Sequence, residues 1–236
     1  MKKIYCCAFI FLTGAFNFIG FTQIKRKPVV NIFKTTLMQD SCSFTTIGRN
    51  TYFILEPGYQ LVLEGAEKKD TTRLVITVLN ETKLIGNVET RIVEENESIN
   101  GKTVEISRNF FAFCKQTSSI FYFGEEVDIY KNDKVINHEG AWIAEGSNKA
   151  GIGLPGLFLL GSRYYQEIAP GIAMDRAEII SINEMMKTPA GKYFNVLKIE
   201  ETTPLEPADI SYKFYAPGIG LIKDGELLLQ KYGYIK

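Results

Sequence analysis

The residues best suited to chemistry stand together in one stretch, 138–170, which holds the only histidine and the only tryptophan of the chain. His138 and Glu139 precede Trp142, and six of the twenty glycines fall between Gly140 and Gly161. Long glycine-rich loops on a rigid scaffold are typical binding segments, and an aromatic ring with a polar tip can contact a ligand through both. We therefore predict a ligand-binding site formed by His138, Glu139, Trp142, Leu157, Phe158, Tyr164, Tyr165 and Glu167.

The apolar tip of this stretch, Leu157–Leu160, has two interpretations. As a lid, the tip covers the open mouth of a curved sheet and contacts the ligand. As a plug, it fills the concave face of the sheet, and Trp142 then belongs to the core. The two interpretations are compatible if a ligand displaces the plug.

Catalytic chemistry has few candidates in this chain. A Ser-His-Asp or Cys-His enzyme would have to use His138, and no G-x-S-x-G motif surrounds a serine. Residues 150–156, AGIGLPG, lack the spacing of a dinucleotide-binding loop and the lysine of a phosphate-binding loop. A pair of carboxyl groups near Glu139 and Glu167 would suit glycoside hydrolysis, so a glycan-active hydrolase stays open as an alternative.

Metal ions, cofactors and nucleic acids are not expected as partners. Beyond the first 22 residues only Cys42, Cys114 and His138 remain as zinc ligands, one fewer than a structural zinc site needs. The acidic residues at 125–133 do not match the spacing of a calcium-binding loop. Lys plus Arg and Asp plus Glu number 27 each, so no excess of positive charge favours nucleic acid.

The N-terminus has the pattern of a secretory signal peptide over residues 1–22. Lys2 and Lys3 precede an almost wholly apolar run, Ile4–Phe21, and small residues at Gly20 and Thr22 suit cleavage before Gln23. An uncleaved anchor is the alternative, although the run is barely long enough to span a bilayer. We expect an exported protein, in the periplasm, the outer envelope or the extracellular space, without a transmembrane span after cleavage.

Two cysteines, Cys42 and Cys114, lie beyond this segment. Exported proteins occupy compartments where disulfides persist, so the two residues are candidates for a disulfide. The alternative is a pair of buried free thiols, because Cys114 falls on the apolar side of a predicted strand.

From residue 51 onward, apolar and polar residues alternate with the period of a β-strand, and Asn, Asp and Gly punctuate the alternation. Strand 119–130 is expected to bend or bulge near Gly124. This pattern predicts an all-β fold: a single curved antiparallel sheet, a half-barrel or barrel-like meander of about nine to eleven strands with few or no helices. The predicted organisation is a signal peptide over 1–22, an irregular lead-in over 23–50 and a single β domain over 51–236.

Four of the eight prolines are followed by glycine. Proline presets the second position of a type II turn and glycine supplies the positive φ of the third, so these pairs predict turns rather than a ligand site. The predicted turn residues are Pro57, Gly58, Pro155, Gly156, Pro170, Gly171, Pro217 and Gly218.

Several short motifs resemble those of a broad family of exported bacterial proteins and lipoproteins without an assigned activity. They are EPGYQ at 56–60, EGAW at 139–142, TPAGKYF at 188–194 and YAPGIGL at 215–221, with an APG turn between the second and third. The resemblance spans about residues 51–235. It implies a curved all-β sheet and no catalytic residues, and it is distantly similar to the half-barrels of periplasmic lipoprotein carriers.

These features favour a non-enzymatic cell-envelope protein that binds an apolar or amphipathic ligand or a partner protein. A lipid, a glycan or another envelope protein is the expected partner. A hydrolase with a carboxylate pair and a purely structural or interaction module are the alternatives.

Overall fold

The computed structural model of the protein describes residues 32–67 and 69–235. These residues form eighteen β-strands and one 3-10 helix, Gln39–Ser41, and contain no α-helix. The strands are β1 (Phe44–Thr45), β2 (Gly48–Arg49), β3 (Ile54–Leu55), β4 (Tyr59–Glu67), β5 (Asp70–Ile85), β6 (Val88–Ile99), β7 (Lys102–Cys114), β8 (Ile120–Lys131), β9 (Lys134–Asn137), β10 (Trp142–Ile143), β11 (Lys149–Leu154), β12 (Arg163–Tyr165), β13 (Glu167–Ile168), β14 (Arg176–Thr188), β15 (Gly191–Thr202), β16 (Ile210–Ala216), β17 (Gly220–Asp224) and β18 (Leu227–Tyr234).

Sixteen of these strands form one sheet, and the prediction of a curved antiparallel sheet is confirmed. Eleven strands have five or more residues, which matches the expected number; the other seven are too short for alternation to reveal. The main path of the sheet runs β12-β14-β15-β16-β17-β18-β4-β5-β6-β7-β8-β11-β13. Its two terminal strands, β12 and β13, are separated in the chain by Gln166 alone, so the sheet nearly closes into a barrel.

The turns of this barrel lie alternately at two ends, because consecutive strands run in opposite directions. Turns 99–102 and 224–227 lie at one end. Turns 85–88 and 216–220 lie at the other, which we call the Pro-Gly end. The Pro57-Gly58 pair also lies at the Pro-Gly end, since it immediately precedes β4.

Three of the four Pro-Gly pairs form the predicted turns. Backbone N–H groups donate across each turn, from Tyr59 to Glu56 O, from Ile172 to Ala169 O and from Ile219 to Ala216 O. The φ angles of Gly58, Gly171 and Gly218 lie between 71° and 81°, the region that glycine adopts most easily.

Gly156 is used differently from the other three glycines. Its φ is not positive, but a Cβ at this position would collide with the backbone of Thr117 and Ser118. The Gly156 N–H donates a hydrogen bond to Ser119 Oγ at 3.0 Å. The residue therefore permits two backbone segments to approach closely rather than supplying an unusual dihedral angle.

The buried apolar side chains form two clusters on opposite faces of the sheet. One lies inside the barrel and includes Leu63, Leu197, Ile199 and Leu229, all fully buried. The other lies on the outer face of β7 and β8, under the lead-in. Burial of both clusters stabilises the fold through removal of apolar surface from water.

The lead-in is tied to the barrel by strand pairing and by a disulfide. Phe44 of β1 pairs with Cys114 of β7, and its ring makes edge contacts with Phe121 and Phe123 at 5.3 Å. A disulfide joins Cys42 and Cys114, whose Cα atoms are 5.2 Å apart. The described part of the lead-in therefore belongs to the same compact unit, Ile32–Lys236, as the β domain.

The predicted signal peptide, residues 1–22, lies outside the described residues. Within the part of the chain that is described, no helix has the length and apolar character needed to cross a bilayer.

Candidate functional site

Polar side chains on β6 and β7 face the inside of the barrel. Residues on a strand alternate between its two faces, so Val93 and Glu95 face inward with Asn109 and Ser107, their partners across the β6–β7 register. The apolar residues of β7, Phe110, Ala112 and Cys114, face outward instead and are fully buried under the lead-in. These two strands therefore contribute polar groups to the interior.

A bulge in β8 adds two more side chains to this interior. The β7–β8 register shifts between Asn109 and Phe111, so that their partners are Glu125 and Tyr122, three positions apart. Gly124 lies within this shift at a φ of 131°, as the sequence predicted for a bulge here. The extra residue of a bulge changes the face to which the following side chains point, so both Tyr122 and Glu125 line the interior.

The inward side chains leave a cavity of about 250 Å³. This volume is slightly below the range of about 300–1,000 Å³ that drug-sized ligands occupy. Its apolar wall includes Phe53, Ile54, Leu61, Ile76, Val78, Val93, Phe111, Leu154, Ile219 and Leu221. Its polar and charged wall consists of Tyr59, Glu95, Asn109, Tyr122, Glu125, Gln166, Glu167, Asp175, Glu201, Lys213, Tyr215 and Asp224.

A row of aromatic rings forms one side of the cavity. The ring centroids of Phe53 and Phe111 are 5.4 Å apart, and the rings of Phe111 and Tyr122 are stacked at 4.8 Å. Behind them, Trp142 meets Tyr122 edge-on at 5.4 Å. The Tyr122 hydroxyl donates to Asn109 Oδ1 at 2.6 Å, and Asn109 Nδ2 donates to Val93 O at 3.3 Å, which fixes the orientation of these groups.

The single lysine of the cavity is neutralised by two carboxylates. Lys213 Nζ lies 3.0 Å from Glu201 Oε2 and 3.9 Å from Asp224 Oδ2. The Glu201 carboxylate is the main reason that the pKa of Lys213 is raised well above its ordinary value. Gln166 Nε2 donates to the other oxygen of Glu201 at 2.9 Å, so this group is held on both sides.

Glu167 is the most deeply buried carboxyl group of the cavity. The residue is 6% exposed, and its Oε2 atom has no hydrogen-bond partner among the described protein atoms. The Trp142 indole N–H is close by but does not reach hydrogen-bond geometry with it. Burial, reinforced by the nearby Asp175 and Glu125 carboxylates, raises the pKa of Glu167 to about 8.

Two further carboxyl groups share this environment. Burial raises the pKa of Glu125 to about 7, and the neighbouring Glu95 carboxylate adds to the effect. Burial likewise raises the pKa of Glu95 to about 7, although Lys213 opposes the shift. Near neutral pH the cavity therefore contains carboxyl groups that exchange protons readily, a property that is concentrated at functional sites.

Of the eight residues predicted for the ligand site, only Glu167 lines the cavity. Trp142 is buried directly behind Tyr122. His138 and Glu139 are exposed; His138 Nδ1 lies 2.8 Å from Val127 O and 3.0 Å from Asp128 Oδ1. Glu139 and Glu167 are therefore not brought together around this cavity.

The apolar tip is neither a complete lid nor a complete plug. It follows β11, whose last residue pairs with Ile120, so the tip lies toward the Pro-Gly end. Leu157 is 70% exposed, and Leu159 and Leu160 are exposed as well. Phe158 alone packs inward, edge-on to Tyr52 at 4.8 Å.

The two predicted tyrosines take different positions. Tyr164 is buried in the interior cluster, and its hydroxyl has no hydrogen-bond partner among the described protein atoms. Tyr165 is half-buried and meets Phe33 of the lead-in edge-on at 6.1 Å. Both contribute packing rather than cavity wall.

Most of the polar wall was not predicted from the sequence. A signal was present on β6, where Glu95 and Glu97 occupy alternate positions and therefore share a face. Glu97 pairs with Glu105, and burial raises the pKa of both carboxyl groups. Acidic residues at matched positions of two adjacent strands indicate a polar face, but not whether that face points inward.

The described residues contain no cluster of His, Cys, Asp and Glu with the geometry of a metal site. Comparison of the chain with protein-family models, with curated proteins and with solved structures finds no match. The family resemblance suggested by the sequence motifs stays a prediction.

Proposed function

We propose that the protein binds a small amphipathic ligand in the cavity of its barrel, without chemical turnover. The observation that supports this proposal is an internal cavity with an apolar wall on one side and hydrogen-bonding groups on the other. Ligand sites commonly combine a mainly apolar lining with a few polar groups that fix orientation. The volume suits a ligand of modest size.

A neutral fluorescent probe tests this proposal. N-phenyl-1-naphthylamine is apolar, and its emission rises when it leaves water. We expect saturable binding of one probe per protein, measured by fluorescence titration. Ile76→Trp replaces an aliphatic side chain of the cavity wall with a much larger indole ring. Because the ring occupies space that the probe needs, binding should weaken at least about tenfold.

Ile180→Trp is the matched control for this substitution. Ile180 is 39% exposed and is not part of the cavity wall, so probe binding should match that of the unmodified protein. Circular dichroism of both variants reports whether each has folded. The absence of saturable binding, or equal binding by both folded variants, would contradict the proposal.

A carboxylate-pair hydrolase is the second candidate, with Glu167 as its acid. A carboxyl group kept protonated near neutral pH beside other carboxylates resembles a general acid in glycoside hydrolysis. The partner would be Glu125 or Asp175, which both act on the pKa of Glu167, rather than Glu139. Turnover of 4-nitrophenyl glycosides that is abolished by Glu167→Gln would favour this candidate over simple binding.

Export from the cytoplasm is part of the proposal. It is supported by the signal-peptide pattern of residues 1–22 and by the disulfide between Cys42 and Cys114, which is typical of oxidising compartments. The intact mass of protein recovered from its own envelope should correspond to a chain that begins at Gln23. Recovery of the full-length chain from the cytoplasm alone would contradict export.

A further inference from the structure

The cavity wall has a large excess of acidic groups. Six carboxyl groups and one ammonium line it, and Lys213 is already paired with Glu201 and Asp224. The ion pairs found among the described residues include none of the other four acids, which are Glu95, Glu125, Glu167 and Asp175. The wall therefore lacks the positive charge that would balance these groups once they are ionised.

Glu167 supplies an acceptor that no protein group uses. The residue is more than nine-tenths buried, lines the cavity and leaves its Oε2 atom without a hydrogen bond. A buried polar atom without a partner is unfavourable, and native proteins rarely retain one. A ligand with N–H donors would satisfy this atom.

The aromatic rings on one side of the cavity also favour a cationic ligand. Phe53, Phe111 and Tyr122 present π-systems beside the carboxyl groups. Ring faces attract cations, most strongly where water is displaced. Carboxylates together with aromatic rings form the typical environment of a bound ammonium group.

We propose that the ligand of this cavity carries a protonated amine on an apolar body. The ammonium group binds between Glu167 and Glu125, and the apolar body lies against Phe111 and Leu61. This inference rests on the proposed binding function and narrows it to one chemical class of ligand.

Binding of such a ligand should release protons from the carboxyl groups of the cavity. Glu167 faces Asp175, Glu125 and the Trp142 indole, while Glu125 faces Glu95, Glu105, Asp175 and the Tyr122 hydroxyl. All of these groups are acidic or neutral, and the one cation of the cavity wall, Lys213, is already paired. An arriving ammonium therefore lowers the pKa of the carboxyl groups and releases protons. Binding should therefore strengthen as pH rises from 5.5 to 8.5, where an alkylammonium with a pKa of about 10.4 is still charged.

Three eight-carbon probes with different head groups test the inference: octylamine, octanol and octanoate. Trp142 is the only tryptophan and is packed behind the cavity wall, so its fluorescence reports binding. At pH 8.5 we expect octylamine to bind at least about tenfold more tightly than octanol, and octanoate to bind most weakly. Octylamine should bind at least about tenfold more weakly at pH 5.5, whereas octanol should bind equally at both.

Substitutions locate the head group. Glu167→Gln keeps the shape of the side chain and should weaken octylamine binding about tenfold without changing octanol binding. Glu126→Gln is the matched control, because Glu126 is adjacent to Glu125 on β8 but points outward and pairs with Lys83. Calorimetry in buffers of different ionisation enthalpy should detect proton release with octylamine alone.

The outcomes separate this inference from the proposed function. Equal affinity for octylamine and octanol, with both weakened by Ile76→Trp, would overturn the amine preference and leave amphipathic binding intact. Binding of octylamine that Glu167→Gln does not change would also overturn it. Failure of all three probes and of N-phenyl-1-naphthylamine would overturn both proposals.

Discussion

The two faces of β7 differ in what covers them. Its outward side chains Phe110, Ala112 and Cys114 are apolar, fully buried and covered by the lead-in. Its inward side chains include the polar Ser107 and Asn109, which lie at or near the cavity, and Phe111, whose ring lines it. Part of the hydrophobic core is thus outside the barrel, which leaves room for polar groups within it.

This division suggests that stability and ligand binding depend on different faces of the same strands. Changes on the outer face should alter the free energy of unfolding and leave binding intact. Changes on the inner face should alter binding and the pH dependence of stability, with smaller effects on packing.

Phe110→Ala should have the largest effect on stability. Phe110 is fully buried, so its removal should lower the free energy of unfolding by about 3–5 kcal/mol, measured by urea denaturation. Phe111→Ala is the matched substitution on the inner face. Phe111 already borders the cavity, so its replacement should lower the free energy of unfolding by clearly less. Equal losses in the two variants would show that the faces do not differ in packing.

Removal of the disulfide should have the next largest effect. Replacing both Cys42 and Cys114 with alanine should lower the free energy of unfolding by about 2–4 kcal/mol, because the bridge constrains 72 residues of the unfolded chain. N-phenyl-1-naphthylamine should bind this folded variant as it binds the unmodified protein. A variant that folds fully yet loses the probe would mean that the lead-in shapes the cavity.

Glu167→Gln should change the pH dependence of stability rather than stability at every pH. The pKa of Glu167 is about 8 in the folded protein and near 4.5 when the side chain is exposed. Between these pH values the folded state holds a proton that the unfolded state has lost, so stability falls as pH rises. The variant cannot ionise there, so at pH 9 it should be more stable than the unmodified protein. At pH 4 the two proteins should differ little.

Glu126→Gln again provides the control, measured by thermal and urea unfolding across the same pH range. Glu126 is largely exposed, and its loss should change stability by about 0–1 kcal/mol at every pH. Parallel pH profiles for Glu167→Gln and the unmodified protein would contradict an unpartnered carboxyl group in the interior.

Local sequence features predicted the sheet and its turns well. Alternation on β5 to β8, the Pro-Gly pairs at 57, 170 and 217 and the bulge at Gly124 all depend on residues close together in the chain. The two cysteines were recognised as a possible pair, but periodicity could not bring positions 42 and 114 together. That contact depends on the lead-in packing across β7 and β8.

The cavity could not be derived from alternation alone. Alternation shows that Phe110 and Asn109 occupy opposite faces, but the apolar face is normally assigned to the interior. Here the lead-in covers the face that carries Phe110, so the face that carries Asn109 and Phe111 points inward. Glycine-rich sequence likewise indicated a binding loop, whereas Gly151 and Gly156 permit close approach of neighbouring backbone segments.

The central claim is that the barrel interior holds carboxyl groups without balancing charge around a cavity. An NMR pH titration of the glutamate side-chain carboxyl carbons measures their pKa values, with Glu167→Gln, Glu125→Gln and Glu95→Gln used to assign the signals. We expect the carboxyl group of Glu167 to titrate with a midpoint near pH 8, and those of Glu95 and Glu125 with midpoints near pH 7. Midpoints near 4.5 for all three would show that these side chains are fully hydrated and would contradict the account.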